Sequence, residues 1–217
     1  MSLARSLERR IEQLVEGIGT KVFRGQLHPI EVAIRIVREA ELALTNTGVG
    51  PAAPNAFAVS LNPADLGDDA DQVVLRLNKV VAEAARERGW RLEGPPLVTL
   101  TATSNVAEGA MAVETAIRPG LLDPWGSLIE TRGPRRLHLT KNRSLVGRSR
   151  RADVMLGDET VSRTHSLLWH DAGGMWIQDL ASSNGTTVNG GMVGEPAELH
   201  DGDVIGFGET RFGFRSS

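Results

Sequence analysis

The sequence predicts two domains, a small α+β domain followed by an all-β sandwich. Three observations predict it. The 217 residues suit two domains at about 100–200 residues each. Up to residue 118, apolar residues recur every three or four positions in several places, the period of a helix. After Gly120 that period gives way to short β-type runs separated by Gly, Asn and Asp turns.

The first half reads α-α-β-α-β-β. Leu3, Leu7, Ile11, Leu14 and Ile18 form one apolar stripe, with Glu8, Arg9, Glu12 and Glu16 on the other face. Pro29 stands where a second helix starts, because proline is tolerated in a first turn. Ile30, Ile34, Val37 and Leu44 carry that helix towards Thr45-Asn46-Thr47-Gly48. Phe57, Val59 and Leu61 alternate as a strand. Asp68, Asp69 and Asp71 open a third helix, where acids suit the positive end of its dipole. Its stripe is Val73, Leu77, Val80 and Ala84, and Gly89 suits its C-terminal cap. Val98, Leu100 and Ala102 form a strand, as do Val113, Thr115 and Ile117. In the second half, strands are expected at residues 135–139, 144–147, 166–170, 175–179, 204–207 and 211–215. The domain boundaries expected are 1–118, a linker and lead-in at 119–134 with its hinge at 118–124, and 135–217.

Composition excludes several classes. There is no Cys, which removes disulfide scaffolds, thiol nucleophiles and Cys-based metal sites. No apolar run approaches the ~20 residues of a spanning helix, and no apolar region follows Arg9 and Arg10 as in an export signal. A soluble cytoplasmic protein without membrane insertion is expected. The net charge of −3 argues against a general nucleic-acid binder. His28, His138 and His200 are isolated, and His165 and His170 are not spaced as a ligand pair. Asp201 and Asp203 flank Gly202 as in a turn. Trp169 and Trp176 suit cross-strand packing. No catalytic constellation, metal site or cofactor motif is present, so no enzyme is expected.

Charge is polarised in the second half. Residues 132–151 hold Arg132, Arg135, Arg136, Lys141, Arg143, Arg148, Arg150 and Arg151 and no acid. Residues 171–209 hold Asp171, Asp179, Glu195, Glu198, Asp201, Asp203 and Glu209 and no Lys or Arg. A basic end on such a domain suits an anionic ligand. Three short motifs sit at strand ends, where loops on a rigid sandwich hold ligands. They are Gly147-Arg148-Ser149, Ser162-Arg163-Thr164-His165, and Asp179-Leu180-Ala181-Ser182-Ser183-Asn184-Gly185-Thr186 with Val188-Asn189-Gly190. Arg148 offers a planar fork for phosphate oxygens. Ser162 offers a hydroxyl and Arg163 more positive charge. Asn184 can both donate and accept along a passing backbone.

Taken in order with Leu199-His200-Asp201-Gly202-Asp203-Val204-Ile205-Gly206-Phe207-Gly208, these motifs resemble the forkhead-associated (FHA) domain over about residues 125–217. The resemblance implies a β-sandwich that binds phosphothreonine peptides through its apical loops. It implies that Arg148 and Ser162 hold the phosphate, that Arg163 and Ser183 flank it, and that Asn184 bonds the ligand main chain. Gly147, His165 and Gly185 would then support the loops. Two positions depart from the usual pattern: Ser183 where Thr is frequent, and Ala181 where Gly is common. Leu3–Glu12, Phe23-Arg24-Gly25, Leu27–Ala33, Asn55-Ala56-Phe57 and Gly89-Trp90 are similar to the opening of FhaA-type proteins of actinobacteria. That resemblance implies a non-catalytic adaptor in Ser/Thr kinase signalling, with phosphothreonine-bearing proteins, a kinase or its substrates, as partners.

Two alternatives concern the first domain. Nucleic-acid binding is opposed by its 13 basic and 15 acidic side chains over residues 1–119, and by the lack of a GxxG loop. Oligomerisation through the Leu3–Ile18 stripe would make the second domain multivalent.

Overall fold

The computed structural model describes residues 9, 11–14, 27–67, 70–171 and 173–217. They form two compact units. One comprises the residues up to Thr45, Ala52–Arg88 and Leu92–Gly120; the other comprises Asn46–Pro51, Gly89–Arg91 and Leu121–Ser217.

In the first unit, Arg9 and residues 11–14 are helical. The remainder of the expected first helix, with Leu3, Leu7 and Ile18, lies outside the described residues, as do the Phe23-Arg24-Gly25 motif and Asp68 and Asp69. Ile11 is buried, so this part of the stripe faces the protein's own interior. Helix α1 spans Pro29–Leu42. His28 caps it: the Ile30 amide donates to Nδ1 at 3.4 Å, and the Glu31 carboxylate takes the His28 N–H at 3.3 Å. Its buried face is Pro29, Val32, Ala33, Ile36, Val37 and Ala40. A short ladder follows, of β1 (Thr45–Asn46) and β2 (Pro51–Ala52). Strand β3 (Ala56–Leu61) is central in a three-stranded sheet, with α2 (Ala70–Glu87) next in the chain. β4 (Leu97–Ala102) pairs with β3 in parallel and β5 (Met111–Ala116) pairs with it antiparallel. Phe57, Val59 and Leu61 of β3 are buried, as are Val73, Leu77 and Val80 of α2. Asn55 is 1% exposed yet satisfied: Nδ2 donates to the Pro95 and Arg118 carbonyls at 2.9 Å, and the Arg118 amide donates to Oδ1 at 2.8 Å.

The second unit is a two-sheet sandwich. Its strands are β6 (Gly126–Glu130), β7 (Arg136–Leu139), β8 (Arg143–Gly147), β9 (Val154–Met155), β10 (Ser166–Asp171), β11 (Gly174–Asp179), β12 (Thr186–Val188), β13 (Gly191–Met192), β14 (Ala197–Leu199), β15 (Val204–Phe207) and β16 (Thr210–Ser216). One sheet has the order β14-β11-β10-β8-β9 and the other β13-β12-β15-β16-β6-β7. Their inner faces bury Leu128, Leu139, Val146, Leu168, Ile177, Ile205, Phe207, Phe212 and Phe214. The Ser166 and Thr186 hydroxyls bond across the sheets at 2.7 Å. Trp169 and Trp176 are register partners on β10 and β11 with rings stacked 6.3 Å apart. β9, β12, β13, β14 and β6 lie outside the strands expected from periodicity, and β6 is the longest of them. Its first three residues are all buried, so the run lacks the alternation of a half-buried strand. No described helix is long and apolar enough to cross a membrane.

Candidate functional site at one end of the sandwich

Three loops meet at one end of the second unit: residues 148–153 after β8, 156–165 before β10, and 180–185 between β11 and β12. Backbone bonds tie them together. The Arg148 amide donates to the Ser162 carbonyl at 2.9 Å and the Ser149 amide to the Arg163 carbonyl at 3.2 Å. The Leu180 amide donates to the His165 carbonyl at 2.8 Å. The close approach of the first two loops depends on Gly147. A Cβ there would stand 2.3 Å from the Arg163 carbonyl oxygen.

His165 lies behind these loops, fully buried. The Ser162 amide donates to Nδ1 at 3.0 Å, which leaves Nε2 to donate to the Gly185 carbonyl at 3.1 Å. The ring meets Phe207 edge-on, centroids 5.8 Å apart. One side chain thus couples the second loop to the third and both to the core. Gly185 sits at φ 76°, the left-handed region open to glycine.

In front, Arg148 is exposed, and its Nε donates to the Val161 carbonyl at 3.2 Å. Ser162 Oγ accepts the Ser183 amide at 3.0 Å and lies 3.4 Å from Ser183 Oγ. Asn184 is exposed and its Nδ2 donates to the Thr160 carbonyl at 2.8 Å. Arg163, Arg150 and Arg151 are exposed around them. Among the described residues, none of these four arginines has a carboxylate partner. A surface with several unneutralised guanidinium groups beside two hydroxyls and an amide attracts a dianion more than a monoanion. No group of His, Asp or Glu side chains suited to a metal ion occurs among the described residues.

Two carboxylates outside the expected site residues hold the loops. Asp179 accepts Ser182 Oγ at 2.6 Å, the Ser182 amide at 2.9 Å and Thr186 Oγ1 at 2.5 Å. Burial pushes its carboxyl up, but those hydrogen bonds outweigh burial and hold it below the usual carboxylate range. Asp158 accepts the Thr160 amide at 2.8 Å and the Thr160 and Thr210 hydroxyls, and these lower its carboxyl likewise. Asp two residues before a hydroxyl is the sequence signal for such a turn, and Asp158-Glu159-Thr160 carries it. A cavity of about 480 Å³ lined by residues 130–132 and 208–211 adjoins Thr160, whose Oγ1 accepts the Glu209 amide at 3.1 Å.

Ala181 has φ 55°, a conformation that costs a non-glycine residue about 1–2 kcal/mol. Ala181→Gly is expected to stabilise the protein by about 0.5–1 kcal/mol, after glycine's own entropic cost. A thermal melt checks it. A lower melting temperature would show that Ala181 makes contacts that outweigh its backbone strain.

Comparison with known proteins gives two regions of similarity. Residues 4–114 match the family described as FhaA, N-terminal domain, and residues 145–208 match the FHA domain. The chain is similar to the FHA domain-containing protein FhaA of Mycobacterium tuberculosis, 27% identical over 121 residues, which is 54% of this chain and 23% of FhaA. It is also similar to the glycogen accumulation regulator GarA of Mycolicibacterium smegmatis, 36% identical over 96 residues, 42% of this chain and 60% of GarA. It therefore spans less than two thirds of either relative. Among solved structures, the FhaA FHA domain complexed with the intracellular domain of Rv3910 is 34% identical. That match covers 42% of this chain and 99% of that one, with a TM-score of 0.39.

Proposed function

This chain belongs to the FhaA N-terminal-domain family and carries an FHA domain behind it, and from that premise we propose that it is a phosphothreonine-binding adaptor. The supporting observation is the convergence of Arg148, Ser162, Arg163, Ser183 and Asn184 at one exposed end, with no carboxylate partner for the arginines among the described residues. In this reading Arg148 and Ser162 Oγ take the phosphate, with Arg163 and Ser183 beside it. Asn184 uses Oδ1 and its remaining amide hydrogen on the ligand main chain. His165, Gly147 and Gly185 hold the frame. The cavity beside Thr160 lies open to ligand residues flanking the phosphothreonine.

Two or three charge-assisted hydrogen bonds at about 1.5–3 kcal/mol each, less the cost of ordering, set an affinity of about micromolar at the tightest. The domain acts by binding, without a catalytic step, in the cytoplasm. Its partners are phosphothreonine-bearing proteins, a Ser/Thr kinase or that kinase's substrates. FhaA's FHA domain has been solved in complex with the intracellular domain of Rv3910. The test is titration with matched Thr, pSer and pThr peptides from a degenerate library. Saturable binding of pThr peptides, weaker binding of pSer and none of Thr are expected. Equal binding of all three would overturn the reading.

A further inference from the structure

The loop that carries Arg148, Arg150 and Arg151 leaves the sheet at Gly147 and returns to it at Val154. Asp153 is its last residue. The Asp153 carboxylate accepts four donors. Oδ2 takes the Leu145 amide of β8 at 2.9 Å and Arg91 Nη1 at 2.6 Å. Oδ1 takes Arg91 Nη2 at 2.7 Å and Lys141 Nζ at 3.1 Å. So a bidentate guanidinium fork closes on the point where the loop rejoins the sheet.

Arg91 is itself fixed within the same unit. It is 6% exposed. Its Nη1 also donates to the Arg143 carbonyl at 2.7 Å, and its amide donates to the Pro51 carbonyl at 2.7 Å. Burial works against the Asp153 charge. The Arg91 and Leu145 hydrogen bonds, with the charges of Arg91 and Lys141, outweigh it and keep the carboxyl below its usual range. A buried ion pair of this kind adds little net stability against an apolar substitute, so energy alone does not account for it. Geometry does. Both nitrogens of one rigid fork engage both oxygens of Asp153, which fixes the carboxylate's orientation as well as its position.

We propose that Arg91 is a positioning residue for the basic loop: by clamping Asp153 it sets the loop's return and thereby the direction in which Arg148 is presented. The inference rests on the reading of Arg148 as a phosphate ligand. Arg91 precedes the region matched to the FHA domain and lies inside the stretch matched to the FhaA N-terminal domain. The geometry of the phosphate loop therefore depends on a residue from outside the FHA sequence.

The test uses the full chain and two variants, Arg91→Lys and Arg91→Ala. Lysine keeps the charge but cannot form the fork. Amide hydrogen exchange without ligand is measured across the sandwich, together with the Kd for a pThr peptide. Arg91→Lys is expected to speed exchange at residues 148–153 while protection in β10 and β11 stays at the wild-type level. Its Kd is expected to rise about tenfold, the worth of one charge-assisted hydrogen bond. Unchanged exchange at 148–153, or a uniform loss of protection over the whole sandwich, overturns the proposal. If Arg91→Ala fails to fold, Arg91→Lys decides alone. If the wild type binds no phosphopeptide, the proposed function fails, while the exchange comparison still decides whether Arg91 fixes the loop.

Discussion

Arg148→Ala is expected to remove phosphothreonine binding and leave the fold intact. The side chain is exposed, and its hydrogen bond inside the protein is the one from Nε to the Val161 carbonyl. The backbone bond from Arg148 to the Ser162 carbonyl is kept by alanine, as are the loop's other ties through Ser149 and Asp153. Stability should therefore change by no more than about 0.5 kcal/mol, as for ordinary surface substitutions. Binding should suffer far more. A guanidinium fork on a phosphate dianion supplies two charge-assisted hydrogen bonds at about 1.5–3 kcal/mol each. Losing both weakens a micromolar complex by about a hundredfold or more, towards the millimolar range. Arg148→Lys retains a point charge without the fork and should fall between the two. Fluorescence anisotropy with one labelled pThr peptide measures all three proteins. Affinity within threefold of the wild type for Arg148→Ala would remove Arg148 from the site.

The second large effect concerns His165, where the cost falls on the fold. His165→Ala empties a fully buried position and strands the Ser162 amide and the Gly185 carbonyl. Cavity formation and unpaired buried groups together cost about 2–5 kcal/mol. For a domain of this size that lowers the melting temperature by about 10 °C or more. His165→Phe separates the two causes, since it fills the space beside Phe207 and satisfies neither backbone group. If the hydrogen bonds dominate, His165→Phe melts close to His165→Ala. If the cavity dominates, it melts close to the wild type. In either case the variants should bind phosphopeptide more weakly, because Ser162 and Gly185 belong to two different loops of the site. Normal stability and normal binding in both variants would show that the ring braces nothing.

The residues of the candidate site announce themselves differently. Arg148, Ser162 and Asn184 were legible because each sits in a short motif at a strand end, and the motifs occur in a recognisable order. Asp179 lies in one of these motifs, but its work of receiving Ser182 and Thr186 depends on a turn that spacing alone does not reveal. Asp153 and Arg91 carried no signal at all. They lie 62 residues apart, and each reads alone as an ordinary surface charge. Strand β6 gives no sequence signal for a related reason: it is covered on both faces at its start, so it shows no alternation.

By itself the sequence determined the division into an α+β half and an all-β half, the helices α1 and α2, most sandwich strands, and the three motifs of the candidate site. These are local properties. Helical and strand periods, caps and turn residues act over a few positions, so the chain displays them directly. The tertiary structure alone decided that β3 pairs in parallel with β4, that His165 does its bracing through the Ser162 amide and the Gly185 carbonyl, and that Arg91 joins the second unit to clamp Asp153. Such arrangements depend on which distant groups meet when water is excluded. A buried donor or charge must find a partner wherever the packed chain brings one within reach, and no local pattern specifies which partner that is.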